Sequence, residues 1–165
     1  FEMLSSAMLS SVEPCNASSF ASSATSSTCS VSSVKTPGER IMYTLRAMRE
    51  KPGDPAVQLH SCRTLRQLAQ EAGNQVRIAQ EGGIADVLLA MSNHPRDPRV
   101  QEKGLGALGR LALTADNQPW IAQEGGLVAA VRAMENHASD CGVQRQACSA
   151  LGKLMVSADD HLLLA

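Results

Sequence analysis

The side chains in this 165-residue chain that could bind a metal or do covalent chemistry are sparse and scattered. Its four histidines, His60, His94, His137 and His161, never recur at His-x-x-x-His spacing, so no two fall on one helical face as zinc ligation requires. Cys15, Cys29, Cys62, Cys141 and Cys148 are odd in number and include no Cys-x-x-Cys. No metal and no cofactor are expected. A Ser-His-Asp set and a P-loop are both missing. Gly104-x-Gly106-x-x-Gly109 has the spelling of a dinucleotide fingerprint, but it lies inside a helical stripe with no strand before it. Glu81 and Glu124 stand beside glycine turns without a paired base, while Asp97 and Asp140 precede helical stretches and read as caps. No catalytic residue is expected, and the chain reads as a non-enzyme. Binding chemistry remains. Its candidates are the long polar side chains Arg63, Gln67, Lys103, Arg110 and Lys153, together with Trp120. Tryptophan is enriched at binding hot spots, and the counterparts of Trp120 in the internal repeat described next are Arg77 and Leu163, so the fold does not demand an aromatic there; packing against a neighbouring turn is the alternative.

These candidates are positioned by a repeat. Asn74-Gln-Val-Arg-Ile-Ala-Gln-Glu-Gly-Gly-Ile84 returns 43 residues later as Asn117-Gln-Pro-Trp-Ile-Ala-Gln-Glu-Gly-Gly-Leu127. The register continues through Met91/Met134, His94/His137, Asp97/Asp140, Val100/Val143, Gln101/Gln144, Leu108/Leu151 and Leu111/Leu154. One period earlier it meets Ile41, Met48, Asp54, Val57, Gln58, Leu65 and Leu68. Three matching units at one period indicate a stacked repeat protein. The expected organisation is a Ser-rich flexible tail at 1–35, a partial first repeat at 36–73, a second at 74–116, a third at 117–158 and the start of a truncated fourth at 159–165.

Within a unit the local signals describe helices. Thr36-Pro37-Gly38-Glu39 has the form of a capping box with proline in the first turn. Ile41, Leu45 and Met48 make the first apolar stripe, and Lys51-Pro52-Gly53 ends it. Asp54-Pro55 starts the next helix, with Val57, Ser61, Leu65 and Leu68 on one face and Gly73 as its stop. In the second unit Asn74 is expected to cap a short helix to Gln80, and Gly82-Gly83 to turn the chain into a helix over about 84–92. A longer third helix follows Asp97-Pro98, with Val100, Gly104, Ala107, Leu108 and Leu111 buried. Ser61, Gly104 and Ala147 share one position, where a small residue would let backbones approach. Cys62 and Cys148 share the position of Leu105 and are expected to pack as small apolar groups. Near the end Asp160 and Leu164 restart the pattern.

Residues 1–34 hold thirteen serines and no Lys or Arg, a composition that favours disorder or ordering along a partner. Phe1, Met3, Leu4, Met8 and Leu9 could form one short apolar face, and Asn16-Ala17-Ser18 matches a glycosylation sequon. Only Phe1, Phe20, Tyr43 and Trp120 are aromatic, so a core must come from aliphatic side chains, as close-packed helices allow. A net charge of −1 argues against binding nucleic acid through overall positive charge. No apolar run approaches the roughly 18 residues of a membrane span. Reduced thiols point to an intracellular and first of all cytoplasmic location. The chain starts on Phe1, so an organelle-targeting signal stays open.

The pattern Asn-x-x-x-Ile-x-x-x-Gly-Gly-Ile/Leu at 74–84 and 117–127, followed by Val-Gln-x-x-small-x-x-Ala-Leu-x-x-Leu at 100–111 and 143–154, resembles the armadillo repeat over residues 37–165. A period of 43 is too long for tetratricopeptide or ankyrin units, and the extra short helix distinguishes the pattern from two-helix HEAT units. The resemblance implies an all-α fold, a right-handed α-solenoid of about three repeats whose third helices line a concave groove for extended peptides or other proteins. It implies no catalysis. The family's nuclear-import adaptors carry Trp and Asn ladders on the third helix. Here the Asn position holds Gln67, Arg110 and Lys153, and the Trp position holds Arg63, Gly106 and Ser149, so import-signal recognition is not expected. Arg63, Gln67, Lys103, Arg110 and Lys153 would form a basic ladder with rungs about 8–10 Å apart, suited to an acidic or phosphorylated segment; the alternative is ordinary solvated charge on a helix face. Two other functions stay open: a structural subunit of a large complex with its tail ordered against neighbours, and an auxiliary segment of a larger enzyme.

Overall fold

In the computed structural model, which describes residues 36–162 and side chains as far as Met155, the long helices start as their sequences dictate. Thr36 Oγ1 accepts from the Glu39 amide at 3.2 Å, and Glu39 Oε2 accepts from the Thr36 amide at 3.0 Å, a complete capping box for α1 (Pro37–Glu50). Asp54 Oδ1 accepts from the Ala56 amide at 2.9 Å to start α2 (Pro55–Leu68), and Asp97 Oδ1 does the same with Arg99 for α5 (Pro98–Leu111). Asp140 Oδ1 accepts from the Val143 amide at 2.9 Å at the start of α8 (Cys141–Leu162). Between these lie α3 (Ala72–Gln80), α4 (Gly83–Asn93), α6 (Asn117–Gln123) and α7 (Gly126–Asn136). The described residues are all-helical, without strands. None of their helices is long and apolar enough to cross a membrane.

The helices form two layers. In one, α2 packs on α5 and α5 on α8; in the other, α1 packs on α4 and α4 on α7. Ile41, Leu45, Leu65, Val87, Leu108 and Leu111 belong to the common core of the two layers, each at most 1% exposed. The short helices α3 and α6 turn into α4 and α7 through Gly82 at φ +81° and Gly125 at φ +84°, a backbone state costly for a residue with a Cβ.

Three glutamines in register seal the turns between the layers. Gln58 Nε2 donates to the carbonyls of Met48 (3.0 Å) and Lys51 (2.8 Å). Gln101 repeats this with Met91 (2.8 Å) and His94 (2.9 Å), and Gln144 with Met134 (2.8 Å) and His137 (3.1 Å). Each satisfies carbonyls that the end of α1, α4 or α7 leaves without an intrahelical donor. Other bonds join successive units. His94 Nε2 donates to Pro52 O at 3.0 Å and His137 Nε2 to Pro95 O at 2.9 Å; a carbonyl only accepts, so the ring supplies the proton.

Several expectations are corrected. Asn74 and Asn117 are not caps, because α3 and α6 begin after Glu71 and Asp116 without a side-chain cap. Their amides instead reach back, Asn74 Nδ2 to Leu68 O and Asn117 Nδ2 to Leu111 O, both at 3.0 Å, and Asn117 also to Gln75 O at 3.3 Å. Gly73 does not stop α2, which ends at Leu68; it lies within α3. The space left by Gly104 is taken by the Met91 side chain of the same unit. Cys62 is buried, but Cys148 is exposed. Gly109 of α5 lies against Ala150 of α8, and Leu105 and Ala112 are buried on the same face of α5 by their i−4 and i+3 spacing from it, whereas the matching positions of α8, Cys148 and Met155, are exposed among the described residues. α8 runs without a break through position 158. The readings made for residues 1–35 and for Leu164 lie outside the described residues.

A candidate anion-binding groove

Positions 63, 66, 67 and 70 follow i, i+3, i+4, i+7 spacing and share one face of α2 and its C-terminal turn. Positions 103, 106 and 110 likewise share one face of α5. With α2 and α5 side by side, Arg63, Arg66, Gln67, Gln70, Lys103 and Arg110 line a cavity of about 450 Å³. The middle of the α5 row is Gly106. A Cβ built there would lie 2.9 Å from both Cδ and Nε of Arg66, so the Arg66 side chain lies across the space that the glycine leaves. Arg63, Gln67 and Gln70 are exposed, and Arg66, Lys103 and Arg110 are half-buried.

The charge in the cavity is unbalanced. Lys103 Nζ is 2.9 Å from Glu102 Oε1, an ion pair between neighbours on α5. Among the described residues no carboxylate lies within ion-pair distance of Arg63, Arg66 or Arg110. Lys153, on α8 and outside the lining, donates from Nζ at 2.9 Å to the carbonyl of Gly109, the residue before Arg110. Burial, and then the like charges of Arg110 and Arg66, hold its ammonium below the usual lysine pKa. Arg66, Arg110 and Lys153 therefore form a positive cluster that lacks its own counter-charge.

Arg63, Gln67, Lys103 and Arg110 are brought together here, and Lys153 stands beside them. Trp120 is elsewhere, on α6, 47% exposed and not in the lining. Arg66 and Gln70 are additional lining residues that the sequence reading missed. Their signal was available, since each stands three residues after a candidate and so on the same helical face. His94 and His137 are engaged with loop carbonyls of the preceding unit and lie one unit apart. Comparison with protein-family models, with curated proteins and with solved structures returns no match.

Proposed function

We propose that the chain is an armadillo-type α-solenoid and a non-enzymatic protein-interaction module. On this reading its units stack into a right-handed superhelix, and α2, α5 and α8 line a groove that binds an extended acidic segment of another protein. One observation carries the reading: Arg63, Arg66 and Arg110 gather around one cavity, with Lys153 beside it, and no carboxylate within the described residues neutralises the three arginines. Cations held together without counter-ions favour an anionic ligand, and arginine forks pair well with carboxylates and phosphates. The 43-residue echo and the repeated glutamine seals support the stacked-unit reading.

The test uses a labelled peptide of alternating Glu and Gly followed by fluorescence anisotropy. The double change Arg110→Glu and Lys153→Glu should weaken binding at least ~10-fold, and raised salt should weaken wild-type binding. Unchanged binding by a folded double variant refutes the groove. A second reading, a subunit of a larger assembly, is favoured by the apolar exposure of Val128 (55%), Val131 (46%) and Met155 (61%) on α7 and α8. It predicts that Val131→Glu with Met155→Glu abolishes co-purification of the neighbouring subunits.

A further inference from the structure

The positive charge of the groove is not spread evenly along it. Toward the start of α5, Lys103 is partly neutralised by Glu102. Two turns further on, Arg110 and Arg66 have no carboxylate among the described residues, and Lys153 reaches across from α8 to the Gly109 carbonyl. Arg63, one turn before Arg66 on α2, is also without a carboxylate, but Arg66, Arg110 and Lys153 are the three unneutralised cations at this end. Gly106, midway between Lys103 and Arg110 on α5, lies against Arg66: a Cβ there would meet Cδ and Nε of Arg66 at 2.9 Å, so a side chain at 106 would displace Arg66 from this position. Gln67 and Gln70 stand alongside, and neither amide is hydrogen-bonded within the described residues.

We infer that this end of the groove is a seat for the phosphate of a phosphorylated serine or threonine within an extended segment of a partner protein. Arg66 and Arg110 fork its oxygens, Lys153 supplies a third positive charge, and Gly106 is a positioning residue for Arg66. The inference rests on the groove reading above and narrows its ligand. A carboxylate brings one charge and two oxygens, and would leave most of the cluster uncompensated. A phosphomonoester brings nearly two charges and three acceptor oxygens, which matches two guanidinium forks and an ammonium. A polypeptide is the indicated carrier because Gln67 and Gln70 each offer a free donor and acceptor, the pairing that a peptide backbone presents along its length.

The test compares three labelled Gly/Ser peptides of about ten residues, carrying one phosphoserine, one glutamate or neither, against the full chain. The phosphopeptide should bind ~10-fold or more tightly than the glutamate peptide. Between pH 7.4 and 5.5 its affinity should fall about fourfold, following the second phosphate pKa near 6, while the glutamate peptide shows no such step. Arg66→Gln and Arg110→Gln should each weaken the phosphopeptide ~10–100-fold. Gly106→Ala should weaken it severalfold while the melting temperature stays equal or rises, since alanine is the better helix former. A merely structural glycine would not separate those two readouts. Equal binding of the glutamate peptide overturns the phosphate seat and leaves the acidic groove standing, whereas binding of neither peptide overturns both. Wild-type affinity in folded Arg66→Gln or Gly106→Ala places the ligand elsewhere and overturns the seat. Tighter capture by vesicles bearing phosphoinositides than by the phosphopeptide overturns the polypeptide carrier.

Discussion

Replacing Gln101 by Met keeps the length and most of the volume of a buried side chain while removing its amide. Gln101 is 3% exposed and donates to Met91 O at 2.8 Å and His94 O at 2.9 Å. Two hydrogen bonds contribute about 1–3 kcal/mol together, and stranding a buried carbonyl adds a further desolvation cost of about 1–3 kcal/mol. Better apolar burial of the methionine returns up to about 1 kcal/mol. The expected loss is thus about 1–6 kcal/mol, and its middle corresponds to a melting-point drop on the order of 10 °C for a domain this size. Urea titration followed by circular dichroism measures it. Gln58→Met, at a site 1% exposed with the same two-carbonyl geometry, should cost as much, and Gln144→Met less, because Gln144 is only half-buried. Gln101→Glu separates hydrogen bonding from packing. A carboxylate cannot donate, so the folded state would raise its pKa, and the variant should regain stability as pH falls through that raised value toward the ordinary range near 4.3. A cost below about 0.5 kcal/mol for Gln101→Met, less than one ordinary hydrogen bond, would refute the reasoning. So would a Gln144→Met cost equal to that of Gln101→Met.

Other perturbations follow from the same geometry. Leu108, 1% exposed, should lose about 2–5 kcal/mol on truncation to alanine, while the half-buried Leu151 should lose clearly less; equal losses in denaturant titration would contradict the burial pattern. The Asp97 carboxyl is held below the ordinary aspartate range, chiefly by its hydrogen bond to the Arg99 guanidinium. Its contribution is therefore present above pH ~4 and lost as pH falls through the depressed native value, so the stability gap between wild type and Asp97→Asn should close on acidification below that point. Burial pushes the Cys62 thiol up to about 12. Iodoacetamide at pH 8 should accordingly label Cys141 and Cys148 while sparing Cys62, as read by peptide mass spectrometry, and Cys62 labelling in the native state would contradict its packing.

The parts of the fold written in local chemistry were legible in advance. Thr36, Asp54, Asp97 and Asp140 act as caps because a short oxygen-bearing side chain before a helix has one close set of orphan amides to serve. Asn74 and Asn117 misled because asparagine carries a donor as well as an acceptor, and residue type does not say which end is used. In both cases the amide turned back to carbonyls left over by the preceding long helix. Gln58, Gln101 and Gln144 were visible as a matched column, but their task depends on where two helices cross, which no spacing rule encodes. Cys148 was misjudged for a related reason, since burial of a repeated position depends on whether a neighbour covers it. At the groove, a reading of matched ladder positions with Lys103 added found Arg63, Gln67, Lys103 and Arg110 and passed over Arg66 and Gln70, which belong to the same face. That Gly106 gives Arg66 its resting place could not be read from either residue alone.

The glutamine seals close inside a unit, whereas His94, His137 and Asn117 each reach 42 residues back to the unit before. All three of these crossing bonds end on a backbone carbonyl, a group that every residue provides. An inserted copy of the middle unit would therefore find the same acceptors on the unit ahead of it, whatever side chains that unit displays. Duplication could lengthen such a chain while reusing these carbonyl contacts, and substitutions at positions such as 63, 106 and 149 could then diversify rung by rung.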